Sequence, residues 1–276
     1  MIIKALEGKH MEKAWIFDDA QKLLDVLDEN EFPETVELLE GLLDSVELEL
    51  VTAFDIATEL VDSDKPKPWP KEVIQYITKL YTYEIDKENA SAMNDLGAQY
   101  YDGNRGFSQN YEIAMNYYKM AAEKGDRQAQ ENLGYCYYYG RVGEPDYEKA
   151  FNYFAMGAFD GHLISLYKIG DMYYNGYYVE KNMNEAFVIY MRCIETMTEE
   201  AERSCAGPVY LRLGKMFFNG YGTEKDLKKA MTCFQRAELY LYDMVVEDGN
   251  YMYKGSLQGA IEGQEMTRAE LAKAIL

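Results

Sequence analysis

Residues 96–103 read L-G-A-Q-Y-Y-D-G, 133–140 read L-G-Y-C-Y-Y-Y-G, 169–176 read I-G-D-M-Y-Y-N-G, and 213–220 read L-G-K-M-F-F-N-G. One pattern underlies all four: aliphatic, Gly, two variable positions, two aromatics, one variable position, Gly. Successive windows are offset by 37, 36 and 44 residues. Repetition at such a period is the signature of a repeat architecture and outranks local propensity. The glycines have two tasks. Gly97, Gly134, Gly170 and Gly214 fall inside helical pattern, where each costs up to about 1 kcal/mol against Ala, so each implies another backbone close by. Gly103, Gly140, Gly176 and Gly220 end the helix, where a left-handed cap favours Gly.

A second motif follows each window. Ala114, Ala150, Ala186 and Ala230 recur at offsets of 36, 36 and 44 residues. Four positions after each stands an aromatic (Tyr118, Phe154, Tyr190, Phe234), and seven after each a small side chain (Ala121, Gly157, Cys193, Ala237). Spacings of four and seven put all three on one helical face. An aromatic knob flanked by small residues is what two closely approaching helices require. Each unit therefore reads as helix, short loop, helix, turn. Stacked units bury the faces that one unit leaves exposed, which predicts an all-α solenoid with a concave surface.

These windows resemble the Sel-one-like repeat, a relative of the tetratricopeptide repeat. The match covers residues 89–240, in units of about 89–125, 126–161, 162–205 and 206–240. Its best unit runs A-M-N-D-L-G-A-Q-Y-Y-D-G from Ala92 to Gly103, then Y-E-I-A-M-N-Y-Y-K-M-A-A-E-K-G from Tyr111 to Gly125. The third and fourth units are looser, with Ile169 in place of Leu and about eight extra residues around Glu195–Cys205. The resemblance implies a right-handed α/α superhelix that serves as an adaptor or scaffold, without catalysis of its own. Some secreted bacterial relatives carry a disulfide in every repeat and are linked to β-lactam binding or hydrolysis. This chain departs from them, because Cys136, Cys193, Cys205 and Cys233 follow no repeating spacing.

The flanks differ in charge. Residues 1–88 hold 22 acidic and 9 basic side chains, a net −13 of the chain's −20. Leu39, Leu43, Val46, Leu50, Phe54, Ala57 and Val61 keep helical spacing there, so the region reads as acidic amphipathic helix. Val46–Thr52 also reads as an alternating strand. Pro66, Pro68 and Pro70 mark a break, after which Val73, Ile74, Ile77, Leu80 and Tyr81 outline another helix. Residues 241–276 read as capping helices: Tyr251 to Ile261, weakened by Gly255 and Gly259, and a short last helix opened by Thr267-Arg268-Ala269-Glu270 as a capping box.

A net charge of −20 over 276 residues argues against nucleic acid and anionic membranes as partners. It serves solubility or meets a basic partner. Absence of Cys pairs, signal-peptide pattern, lipidation motif and long apolar run leads us to expect a cytoplasmic chain.

Catalytic and metal motifs are scarce. His10 and His162 are the only histidines, and neither has a second histidine or a cysteine nearby, so no metal site is expected. Neither G-x-S-x-G nor a phosphate loop occurs. Ser165-Leu166-Tyr167-Lys168 matches S-x-x-K without its companion motifs, and Ser165 reads as an ordinary helix residue. No enzyme and no cofactor is expected.

The better candidate is an aromatic ladder made by the second aromatic of each window: Tyr101, Tyr138, Tyr174 and Phe218. In tetratricopeptide-like solenoids this flank of the first helix looks toward the concave groove. Asn94, Ala98, Glu131, Tyr135, Tyr139, Tyr167, Asp171 and Lys215 share that side. Tyrosines with nearby acids suit an extended peptide, a basic one included. The competing reading is that these rings only pack within each repeat. Tyr100, Tyr137, Tyr173 and Phe217, the first aromatics, are expected in the core. Function is accordingly expected to be protein binding on the concave face, with masking of a basic partner by the acidic N-terminal region as the alternative.

Overall fold

The computed structural model describes residues 14–44, 52–64, 67–247 and 249–273, and among these the only regular structure is helical. Apart from Thr52, the sequence-based strand alternative at Val46–Thr52 lies outside the described residues, as do the apolar positions Val46 and Leu50 and His10. Packing divides the chain into two compact units, Met1–Cys136 and Tyr137–Leu276.

In the first unit, α1 (14–24), α2 (Pro33–Asp44), α3 (Ala53–Asp62) and α4 (Lys71–Ile85) precede the first repeat pair, α5 (Ala90–Asp102) and α6 (Tyr111–Glu123). The acidic helices bury their apolar faces in one core with α4 and α5, built on Leu39, Leu60, Ile77, Leu80, Tyr81 and Leu96. Leu39 and Ala57 are fully buried, as their spacing implies, while Leu43, Phe54 and Val61 pack partly buried at the edge. Val73, Ile77, Leu80 and Tyr81 of α4 are buried as expected. Asp64 caps α2, accepting from the Thr35 amide at 2.8 Å and the Thr35 hydroxyl at 2.6 Å. Arg105 ties the loop after α5 to the acidic helices. Its guanidinium donates to the carbonyls of Val61, Ser63 and Lys67 at 2.8, 2.6 and 2.7 Å and lies 3.2 Å from the centre of the Trp69 ring.

α7 (Arg127–Tyr138) begins in the first unit and ends in the second. The second unit continues with α8 (Tyr147–Phe159), α9 (Leu163–Asn175), α10 (Met183–Glu195), α11 (Glu199–Asn219), α12 (Leu227–Tyr242) and α13 (Lys254–Lys273). A π turn at Asp243–Glu247 and a 3-10 turn at Tyr251–Tyr253 link the last two. Cys193, Cys205, Ala206, Leu213, Met216, Phe234 and Leu241 form its core.

The two sequence motifs interlock. A Cβ on Gly97 would stand 2.9 Å from the Tyr118 ring, one on Gly170 2.7 Å from Tyr190, and one on Gly214 2.7 Å from Phe234. The close neighbour is thus chiefly the aromatic knob of the second helix and not the bare backbone that the glycines alone imply. Phe234 is also covered from α13, where Gly263 presses on the same ring. Gly103 and Gly176 cap their helices in the left-handed conformation, at φ 62° and 78°.

A third periodic device went unread in the sequence. Asn110, Asp146, Asn182 and Asp226 are the N-caps of α6, α8, α10 and α12, each accepting from the amide three residues on. Their own amides donate to the carbonyls of Tyr100, Tyr137, Tyr173 and Phe217 at 2.7–3.0 Å, which fixes each loop against the end of the preceding helix.

Two expectations need correction. Tyr100, Tyr137 and Tyr173 are half-buried, with only Phe217 in the core. They sit at the edge of each pair and meet an aromatic of the second helix: Tyr100 stacks on Tyr117 and Tyr137 on Tyr153, with centroids 6.1 and 5.8 Å apart. Thr267 caps nothing: it is buried in the middle of α13, and its hydroxyl donates back to the Gly263 carbonyl at 2.6 Å. That back-bond satisfies the hydroxyl inside a helix, so the T-R-A-E pattern starts no new one. The eight extra residues before the fourth window lengthen α11 to 21 residues against 13 in α9, a difference of 8. Pro208 aligns with the first turn of α9, but in the lengthened α11 it stands inside the helix, where it cannot donate a backbone hydrogen bond.

Candidate functional site

The structure gathers four of the sequence-derived candidates, Tyr138, Tyr139, Tyr167 and Asp171, around one cleft of about 560 Å³ in the second unit. Tyr138 and Tyr139 come from the end of α7, and Tyr167, Lys168 and Asp171 from one side of α9. Arg212 projects from α11, Met252 and Tyr253 enter from the 3-10 turn before α13, and Ser256 from the first turn of α13. Tyr147 and Tyr177 complete the wall as a stacked pair, 4.4 Å between centroids at 7°.

Two charged groups organise the interior. Asp171 is buried and accepts from the Tyr190 hydroxyl at 2.7 Å and from Arg212 Nε at 2.9 Å, with Arg212 Nη2 at 3.4 Å. Burial opposes the Arg212 charge, but the Asp171 carboxylate outweighs it and the guanidinium titrates above its usual range. Lys168, one turn before Asp171, is buried as well, and its ammonium donates to the Tyr139 hydroxyl at 3.2 Å. The rings of Tyr167, Tyr138 and Tyr139 surround that ammonium at 4.9, 5.2 and 5.4 Å. Cations over tyrosine faces are favourable, and more so where water is excluded.

Tyr138 is the hub of the rings, with Tyr139, Tyr147, Tyr177 and Phe154 at 5.0, 5.7, 5.8 and 6.2 Å, all edge-on. Burial, then the Asp171 charge, pushes its phenol above the ordinary tyrosine range. Tyr253 is raised by burial too, with Tyr139 next in importance. Tyr139 keeps 43% of its surface exposed and Met252 77%, so the mouth is aromatic and apolar while the floor is charged.

The remaining candidates lie elsewhere. Tyr174 and Phe218 are half-buried on α9 and α11, Phe218 beneath the Lys225 ammonium at 5.4 Å. Lys215 is half-exposed, and burial followed by the Arg212 charge lowers its pKa. In the first unit, Tyr101 packs edge-on to Tyr111 at 5.1 Å. Asn94 is buried, accepting from Asn132 at 3.0 Å and donating to Asp95 at 3.1 Å. Glu131 is buried; Tyr135 and Ala98 are half-exposed. Sequence reasoning missed Arg212, Tyr147, Tyr177 and Tyr253. Arg212 had a signal, since it directly precedes the Leu213-Gly214 window. Tyr253 had none, because it lies outside every repeat.

No group of three or more His, Cys, Asp or Glu able to hold a metal occurs among the described residues. His162 is half-buried at the N-cap of α9, and Ser165 is fully buried. All four cysteines are buried thiols, and burial raises Cys193 to about 12 and Cys233 to about 11. No helix among the described residues is long and apolar enough to cross a membrane.

The Sel1 repeat family matches residues 90–126, 127–162, 163–190 and 208–238. The gap after residue 190 contains the N-terminal extension of α11, and the last match starts at Pro208. A solved Sel1 repeat protein from Oxalobacter formigenes is similar at 21% identity and a TM-score of 0.53, over 69% of this chain and 75% of that one. A protective antigen of uropathogenic Escherichia coli strains, described as displaying an SLR fold, is similar at 20% identity and a TM-score of 0.58. That likeness covers 85% of this chain but 48% of the antigen, so the chain spans about half its length. No curated protein matches the chain. At these identities the likeness speaks to fold: an all-α solenoid of Sel1-like helix pairs. With its four consecutive repeats, the chain belongs to the Sel1 repeat family, whose members generally mediate protein–protein interaction.

Proposed function

We propose that the chain is a non-catalytic scaffold that holds a segment of a partner protein in the tyrosine-lined cleft of its second unit. The observation that carries this reading is the division of the cleft into an apolar aromatic mouth and a charged floor locked in internal pairs. Tyr139 and Met252 are open to solvent, while Asp171 is engaged by Arg212 and Tyr190. A carboxylate held by a guanidinium and a phenol is a structural anchor; a general base needs a poised, available group. Tyrosine-rich mouths with polar floors are the usual chemistry of binding hot spots. A volume near 560 Å³ suits a few side chains of an extended segment.

The test is capture of partners from native extract on the full chain, beside a variant with Tyr139→Ala and Tyr177→Ala shown by circular dichroism to remain folded. Loss of a partner with the variant places recognition in the cleft. A partner kept by the variant but released by salt would move recognition to the acidic N-terminal helices and a basic ligand.

A further inference from the structure

The cleft of the second unit brings two cationic side chains together in an acidic protein. Its lining sets Lys168 and Arg212 beside a single acid, Asp171, within a chain of −20. Arg212 holds Asp171 by one edge only, through Nε and Nη2. A guanidinium carries five N–H donors in a fixed planar fork, so three remain, including both on Nη1. Among the described residues these three make no hydrogen bond, and Arg212 borders the cleft. The acid that a basic peptide would seek there, Asp171, already accepts from Arg212 and Tyr190.

We propose that this cleft is a carboxylate-accepting subsite: a partner segment places one carboxylate, from an acidic side chain or a chain terminus, on the open edge of Arg212 beside Lys168. Flanking apolar groups of the segment lie against Tyr139, Tyr253 and Met252. The inference rests on the scaffold reading above and names the chemistry of what is bound. Charge selects the ligand. A cation would meet the Arg212 charge in a partly dehydrated site whose one lining acid is already engaged, whereas a carboxylate meets open N–H donors of that guanidinium. Geometry agrees, because the free edge of a guanidinium matches a planar carboxylate in two parallel hydrogen bonds. Lys168 adds a charge held in place by Tyr139 and its three surrounding rings.

The probe is a pool of random octapeptides, prepared with free and with amidated C-termini and selected in solution on the full chain. Recovered peptides are expected to share an Asp or Glu at one position in both pools, or to come from the free-acid pool alone. The first pattern identifies an acidic side chain, the second a terminus. A recovered peptide and its Glu→Gln or amidated counterpart should then differ about tenfold in Kd on the unaltered chain, with the gap narrowing as salt rises. Arg212→Lys, which keeps the charge facing Asp171 and removes the fork, should abolish most of that preference. Enrichment of Lys or Arg, enrichment indifferent to charge, or no enrichment would each overturn the carboxylate assignment. Peptides of the first two kinds that are lost in the Tyr139→Ala, Tyr177→Ala variant would leave the scaffold reading standing. If Arg212→Lys unfolds, the acid and amide pair on the unaltered chain still decides.

Discussion

The first repeat in one unit and the third in the other are built on the same lock, a glycine of the first helix beneath a tyrosine of the second: Gly97 under Tyr118, Gly170 under Tyr190. They differ at the very next residue. After Gly97 comes Ala98; after Gly170 comes Asp171, which reaches the Tyr190 hydroxyl and Arg212 of the following repeat. In the second and fourth repeats that position is Tyr135 and Lys215. The repeated positions therefore make the fold, and the unrepeated ones make the site. A charge network that spans two repeats arises from one variable position in each.

The sharpest way to break this comparison is at Asp171. Replacing it with Ala leaves Arg212 half-enclosed without its carboxylate and strands the Tyr190 hydroxyl in the core. Removing one partner of a buried pair costs 3–5 kcal/mol; because the Arg212 side chain keeps 24% of its surface, we expect about 2–3 kcal/mol. Urea denaturation of the full chain measures it. Adding Arg212→Met should recover part of the loss, since the uncompensated charge goes with it. Full additivity of the two substitutions would show that the pair is not coupled.

The locks should instead behave alike in the two units. Gly97→Ala and Gly170→Ala each drive a methyl into a buried tyrosine ring, an overpacking that costs about 1–3 kcal/mol. The gain in helix propensity of up to about 1 kcal/mol offsets only part of it. Gly259→Ala is the control, because a Cβ there meets only Leu211, at 4.0 Å, and stability should rise by less than about 1 kcal/mol. Loss at Gly97 and Gly170 beside gain at Gly259 sharpens the comparison. A neutral Gly97→Ala would confine the lock to the second unit.

What the sequence made legible follows from this division. The helix pairs, the cap glycines and the face of Ala114, Tyr118 and Ala121 could be read because packing repeats with the period. The four N-caps were equally periodic and could have been found by asking what stands four residues before each alanine. Half of the cleft was legible through Tyr138, Tyr139, Tyr167 and Asp171. The other half was not: Arg212 pairs across 41 residues, and Tyr253 arrives from a turn outside the repeats. Burial also could not be read from position alone, since Tyr173 and Phe217 share a motif slot and only Phe217 is in the core.

The smallest expected effect sets Asp95 against Asp171. Both are acids next to a motif residue, Asp95 before Leu96 and Asp171 after Gly170. Asp171 has a guanidinium; among the described residues Asp95 has the Asn94 amide at 3.1 Å and no cation. Burial pushes the Asp95 carboxyl above its ordinary value, Asn94 pulls against it, and Asp126 and Asp62 push further. An acid raised in the folded state contributes stability that is complete below its unfolded value and lost as pH rises through the folded one. Ionised Asp95 therefore weakens the first unit at neutral pH. Asp95→Asn, which keeps the shape and removes the charge, should raise the melting temperature slightly at pH 7 and cease to do so at pH values where the carboxyl is protonated in both states. A melting curve whose difference is the same at both ends of that range would mean that the charge of Asp95 is harmless where it sits. The contrast with Asp171 would then lie in the guanidinium alone.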